Sequence, residues 1–191
     1  MPTDTRARLV AAAMELLTDG GLSNVSIRKV AGLVGITPMA VYRHFPDLDA
    51  LLSAAVEERF RALAASWSDV PRHGSPRELV LEAMAELVRF GVREPHTYDY
   101  LFLHARPGGR RYPDDFVPGS SPTLTILVDL LGKATADGDL AEADLLEVAT
   151  GLSAVVHGLM AMRAGGRLPL PPEAFEALCL RSVGRMLDGL R

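Results

Sequence analysis

The sequence predicts an all-α protein, and three observations predict it. Apolar residues recur at helical spacing in one segment after another, as in Leu9, Ala12, Ala13, Leu16 and Leu17, and turn-forming runs such as Asp19-Gly20-Gly21 and Asp137-Gly138-Asp139 separate the segments. Apolar residues make up 48% of the chain but aromatics only 6%, so the core must be aliphatic and Ala-rich, which suits helices better than sheets. Residues 26–45, SIRKVAGLVGITPMAVYRHF, read as two short helices joined by a tight turn, and the rest of the chain is organised around them.

Helix 1 is expected from Thr3 or Asp4 to about Thr18, its apolar stripe packing on the two helices that follow. Arg6 and Arg8 at its start are open to two readings, a flexible arm that reaches phosphate or a solvated helix end. Ser26 caps helix 2, which runs to about Leu33. Gly35 falls where the chain reverses, and glycine tolerates the positive φ such turns need. Thr37 caps helix 3, and Pro38 occupies its first position, where the missing N–H costs nothing. Val30, Val34, Ile36 and Val41 turn apolar faces toward each other, and Ala31 is small enough to let the two helices cross closely. Arg28, Lys29, Thr37, Met39, Tyr42, Arg43 and His44 remain outside, a donor-rich surface on a helix narrow enough to enter a major groove.

The stretch ARLVAAAMELLTDGGLSNVSIRKVAGLVGITPMAVYRHFPDLDALL resembles the DNA-binding region of TetR/AcrR-type transcriptional regulators, most specifically in GITPMAVYRHF and the acidic, Leu-rich helix start after it. The resemblance implies a helix-turn-helix domain over residues 1–47 and a ligand-binding and dimerisation domain over residues 48–191, joined by helix 4 at residues 48–66. It also implies DNA contacts at Ser26, Arg28, Thr37, Pro38, Met39, Tyr42 and His44. Arg28 suits guanine O6/N7 or phosphate, Thr37 phosphate or a thymine methyl, Met39 an apolar base edge, and Tyr42 and His44 phosphate. Many members carry Lys near the start of helix 4, where this chain has Leu48 between Asp47 and Asp49, so one usual phosphate contact is missing.

Helix 4 begins at the Asp47 cap and lines up Leu48, Leu51, Leu52, Ala55, Val56, Phe60 and Leu63 on one face. Residues 69–76 form a boundary loop that ends in a capping box, Ser75-Pro76-Arg77-Glu78, which starts helix 5. Glu94-Pro95 ends helix 5, and helix 6 over about Pro95–Ala105 collects Tyr98, Tyr100, Phe102 and His104, either as a pocket wall or as ordinary packing. Residues 106–122 are a long Pro- and Arg-rich loop, read as a site gate or a plain connector. Helix 7 covers about Ser121–Ala136. Helix 8, about Ala141–Ala164, is apolar nearly all round and needs cover on every side. With helix 9, about Pro172–Leu190, it is expected to form a two-fold homodimer interface. The segment AVVHGLMAMRAGGRL resembles the C-terminal domain type of this family that is named for a Trp and a His-Gly pair; His157-Gly158 stands here without a Trp before it.

Composition bounds the alternatives. The single cysteine, Cys179, excludes an intrachain disulfide and a Cys-based metal cluster. No long uncharged run predicts a membrane-spanning helix and no signal peptide is evident, so a cytoplasmic protein is expected, with no membrane partner. Net charge is −4, and residues 1–60 hold six basic against seven acidic residues, so an argument for DNA rests on placement rather than bulk charge. No phosphate loop, metal-ligand spacing or activated nucleophile is present, so neither an enzyme nor a cofactor or metal site is expected. A helical adaptor without DNA binding is the second rival, favoured by the acidic balance and opposed by the helix-turn-helix surface. The resemblance implies a repressor released from a palindromic operator by a small, mostly apolar effector. Its expected chamber is lined by Phe60, Leu63, Trp67, Met84, Val88, Tyr98, Phe102, Leu127, Leu131, Leu152, Val156, His157 and Met160. Hydrophobic burial dominates there, with Tyr98, His104 or His157 supplying direction.

Overall fold

The computed structural model describes residues 4–68, 74–105, 111–112, 114–116 and 121–190. Among these it holds nine α-helices and no strand, as the patterning predicts. The chain divides into two compact units, residues 1–61 with 94–109 and residues 62–93 with 110–191. This is a division by packing.

In the first unit, α1 (Thr5–Gly20) starts where the Asp4 carboxylate accepts from the Arg6 N–H at 2.9 Å. It buries Leu9, Val10, Ala12, Ala13 and Leu17. After a 3-10 turn at Leu22–Asn24, α2 (Ile27–Val34) buries Val30, Ala31 and Val34. Gly35 closes α2 with φ 75°, and the N–H groups of Gly35 and Ile36 donate to the carbonyls of Gly32 (3.2 Å) and Ala31 (3.0 Å), the paired bonds of a Schellman end. α3 (Pro38–Val41) is shorter than the period suggests, because Arg43 and His44 bond three residues back, at 3.3 and 2.9 Å, and tighten its end. α4 (Leu48–Ser68) begins where Asp47 accepts from the Ala50 N–H at 2.7 Å, and it contributes residues to both units.

The expected helix 6 is not one regular helix. α6 (Pro95–Tyr98) passes into a π-helical turn at Asp99–Leu103, closed by His104 N–H to the Asp99 carbonyl at 2.8 Å. α6 packs on α1, where the hydroxyls of Thr18 and fully buried Thr97 share a hydrogen bond of 2.9 Å. An Arg59–Glu94 ion pair adds a second tie within this unit.

In the second unit, α5 (Pro76–Arg93) starts with the expected capping box, the Ser75 N–H donating to Glu78 at 2.8 Å and the Glu78 N–H to the Ser75 hydroxyl at 3.3 Å. α5 packs against α7 (Pro122–Ala136) and α9 (Pro172–Asp188). α8 (Leu145–Ala164) packs against α7 and α9. It starts about four residues later than its hydropathy suggests, because Asp144 accepts from the N–H groups of Leu146 and Glu147, both at 3.0 Å. Arg77 on α5 donates to Asp188 at 2.6 Å and so fastens the end of α9. Most of the loop over residues 106–122 and of the boundary loop over residues 69–76 lies outside the described residues; a 3-10 turn at Asp114–Phe116 falls inside.

One expectation is corrected. α8 is, by length and composition, apolar enough to cross a membrane, with a mean hydropathy of 1.6 over its best window. Its charged residues, Glu147 and Arg163, stand near the two ends of the helix and leave an uncharged run between them. Leu152, Val156 and Met160 pack one face of it into the second unit.

Candidate functional site

The expected DNA-contact residues divide into two groups. Ser26 and Thr37 build the motif: their hydroxyls accept from the N–H groups of Lys29 and Ala40, each at 3.3 Å, and Pro38 opens α3. Arg28, Met39, Tyr42 and His44 are exposed, Met39 at 71% and Tyr42 at 50%, and Arg43, outside the expected contacts, is exposed too. Exposed Met39 on α3, Tyr42, Arg43 and His44 just after it and Arg28 on α2 combine a large apolar side chain with four polar donors, while buried Val41 closes the inner face of α3; such a surface can meet both base edges and phosphates.

Other polar groups of this unit are already engaged. Arg8 donates to the carbonyl of Val34 at 2.7 Å, and the Arg6 guanidinium lies 4.9 Å from the centre of the Phe45 ring. The pair is thus part of the motif's framework, not a free arm. Lys29 donates to Asn24 at 2.6 Å, and Asn24 donates in turn to the Leu16 carbonyl at 2.9 Å. Sequence reasoning missed these supports because each joins residues on different elements. It also missed Leu33, an apolar side chain 51% exposed at the end of α2.

The expected chamber residues fall in both units. In the first, Phe60 and Phe102 meet edge-on at 5.4 Å, and Tyr98 lies 4.9 Å from Phe102, a cluster with Phe60 and Tyr98 buried. In the second, Leu63, Met84, Val88, Leu127, Leu131, Leu152, Val156 and Met160 are all buried. His157 is half-buried on α8, and burial pushes its pKa down to about 4. Trp67 is buried against a cleft between α4, α5 and α7 whose other walls include Ala83, Ile126 and Leu130. Beside it, Arg89 holds three carboxylates, Glu82 at 2.8 Å, Glu86 at 2.6 Å and Glu176 at 2.7 Å. These bonds, the one to Glu176 foremost, raise the pKa of Arg89 and keep it charged.

Residues 9–55 match the family described as bacterial regulatory proteins, tetR family, and residues 80–186 match the tetracyclin repressor-like C-terminal domain. The chain belongs to the TetR family of transcriptional regulators. The second match includes His157-Gly158. UidR, an HTH-type transcriptional regulator of Escherichia coli K12, is 25% identical over 186 residues, covering 82% of this chain and 93% of UidR. The match to an HTH-type regulator of Mycobacterium bovis spans only 46% of that protein. Among solved structures, a Rhodococcus sp. RHA1 protein of unknown function superposes with a TM-score of 0.79 at 24% identity, covering 98% of this chain and 96% of that one. RolR in complex with resorcinol superposes with a TM-score of 0.67 at 21% identity, covering 96% of this chain and 91% of that one. These two likenesses support the TetR-type helical fold.

Proposed function

We propose that this TetR-family regulator is a homodimeric repressor that a small, mostly apolar effector releases from a palindromic operator. The observation that carries the reading is the exposed Arg28, Met39, Tyr42, Arg43 and His44 surface, built on a motif whose caps and turn are internally satisfied. Two such surfaces would enter successive major grooves about 34–36 Å apart. Residues 1–47 would act as the reading head and residues 48–191 as the body, in a cytoplasmic protein.

The dimer would form through α8 and α9. Only 22% of the most apolar window of α8 is buried within one chain, and Val148, Val155, Leu159 and Met162 recur on one side of it incompletely covered. A second copy offers the same face, which suits an isologous two-fold contact. The effector would bind within the apolar body; RolR, a protein of similar fold, was solved in complex with resorcinol. To release the operator it must bind one dimer state better than the other; coupling of about 1–3 kcal/mol corresponds to roughly 5–150-fold in operator affinity.

Selection from a random DNA pool with purified protein, repeated with Tyr42→Ala, tests the reading. Recovery of a palindrome by the wild type and its loss in the variant is expected. Enrichment of no site at low salt would overturn it and favour a helical adaptor.

A further inference from the structure

Residues 26–45, which carry the exposed surface of the motif, hold no Asn, Gln, Asp or Glu. That composition limits which bases the surface can name. Adenine is read in the major groove by a side-chain amide that bonds N6 and N7 together, and cytosine by a carboxylate that accepts from N4. Neither group is present in the stretch. The amide just before it, Asn24, is spent: its nitrogen donates to the Leu16 carbonyl at 2.9 Å and its oxygen accepts from Lys29 at 2.6 Å. The hydroxyls of Ser26 and Thr37 are engaged as helix caps. Arg28 and Arg43 remain for guanine or phosphate, and Tyr42 and His44 for single hydrogen bonds.

Met39 is the exception to this polar set. At 71% it is the most exposed large hydrophobic side chain among the described residues. It stands two residues before buried Val41, on the opposite side of α3, so it faces away from the core. A thioether has no N–H or O–H to donate, and its sulfur is a weak acceptor. Met39 therefore gains little from the donors and acceptors of a base edge. What it gains is burial of its own apolar surface, and the major groove offers one apolar group for that, the C5-methyl of thymine.

We propose that Met39 is a specificity-determining residue of the reading head, packing its flexible side chain on the C5-methyl of one thymine in each operator half-site. The inference rests on the regulator reading and deepens it, because it names a chemical feature that the operator has to carry.

The probes are synthetic duplexes of the operator recovered by pool selection. Thymine is replaced by uracil one position at a time, symmetrically in both half-sites, and full-length protein is titrated on each duplex. The exchange removes a methyl group and leaves every hydrogen-bonding group of the base in place. At one position the wild type is expected to bind roughly fifteenfold more weakly, about fourfold for each methyl left without its apolar cover. Met39→Ala is expected to bind the parent duplex more weakly and to bind the uracil duplex equally well. Met39→Leu, which keeps an apolar side chain of similar volume, is expected to retain the preference. Cytosine against 5-methylcytosine at the same position repeats the comparison on a different base, with the methylated duplex preferred by the wild type and not by Met39→Ala. Because Met39 is exposed, its replacement leaves the core intact, which thermal melts of both variants check.

Two results would overturn the assignment: an operator in which no thymine methyl affects binding, or a methyl preference undiminished in Met39→Ala. Pool selection separates this inference from the reading beneath it. A palindrome whose uracil duplexes all bind as tightly as the parent refutes the role of Met39 and leaves the regulator. Recovery of no site refutes the regulator and the assignment with it.

Discussion

Arg8 on α1 donates from Nη2 to the carbonyl oxygen of Val34, the last residue of α2, at 2.7 Å. A cation at a helix C-terminus satisfies an orphan carbonyl and complements the partial negative charge there. Arg8→Ala is therefore expected to cost about 1–2 kcal/mol in urea unfolding. Its operator binding should keep the wild-type salt slope, whereas Arg43→Ala, if Arg43 reaches phosphate, should lower that slope by about 1. A lowered slope in Arg8→Ala would return this residue to the role of a phosphate arm.

The turn of the motif depends on one backbone conformation. Gly35 has φ 75°, and a Cβ built there meets no atom within 4 Å. Gly35→Ala should thus lose about 1–2 kcal/mol from backbone strain alone, and Gly35→Asn should lose less. Equal losses in thermal unfolding would point to a packing cause instead.

Thr37 caps a helix of four residues by accepting from the Ala40 N–H at 3.3 Å. Thr37→Ala should cost about 0.5–2 kcal/mol and Thr37→Ser much less. Circular-dichroism melts of both variants check this. An operator defect that Thr37→Ser fails to rescue would mean that the methyl, not the cap, is what DNA binding needs.

Val155→Arg places a charge on the incompletely covered side of α8 while leaving the inward Leu152 and Val156 untouched. Sedimentation should show a folded monomer for the variant and a dimer for the wild type, with operator affinity reduced through loss of the second head. A dimer that persists in this variant would move the interface elsewhere.

His157 sets a pH dependence. Burial lowers its pKa from 6.5 to about 4, so between these values the unfolded state binds the proton and the folded state does not. This contribution to stability is complete above pH 6.5 and is lost as pH falls toward 4. Urea midpoints should fall between pH 7 and pH 4.5, and His157→Gln should flatten part of that fall. An unchanged pH profile in the variant would show that His157 stays solvated.

Local chemistry alone determined the all-α class, the helix order and most caps. Ser26, Thr37, Asp47 and Ser75 each act on the N–H group three residues ahead, so they are legible without knowing the fold. The exposed Arg28, Met39, Tyr42 and His44 surface follows from the same helical period, because the apolar positions around them have to turn inward. Tertiary structure decided what depends on partners distant in sequence. Arg8 reads in the sequence as a phosphate arm or a solvated helix end, and its bond to a carbonyl 26 residues away is neither. Arg89 became the centre of a carboxylate cluster only when α9 brought Glu176 to α5, 87 residues apart. The chamber was the least legible of all: Leu131, Val156 and Trp67 read alike as buried apolar positions, and only packing left one of them with a polar atom unanswered beside a cleft. Apolar burial has no direction and leaves the same pattern in a core as in a pocket, whereas a hydrogen bond is missing or made at one place in space.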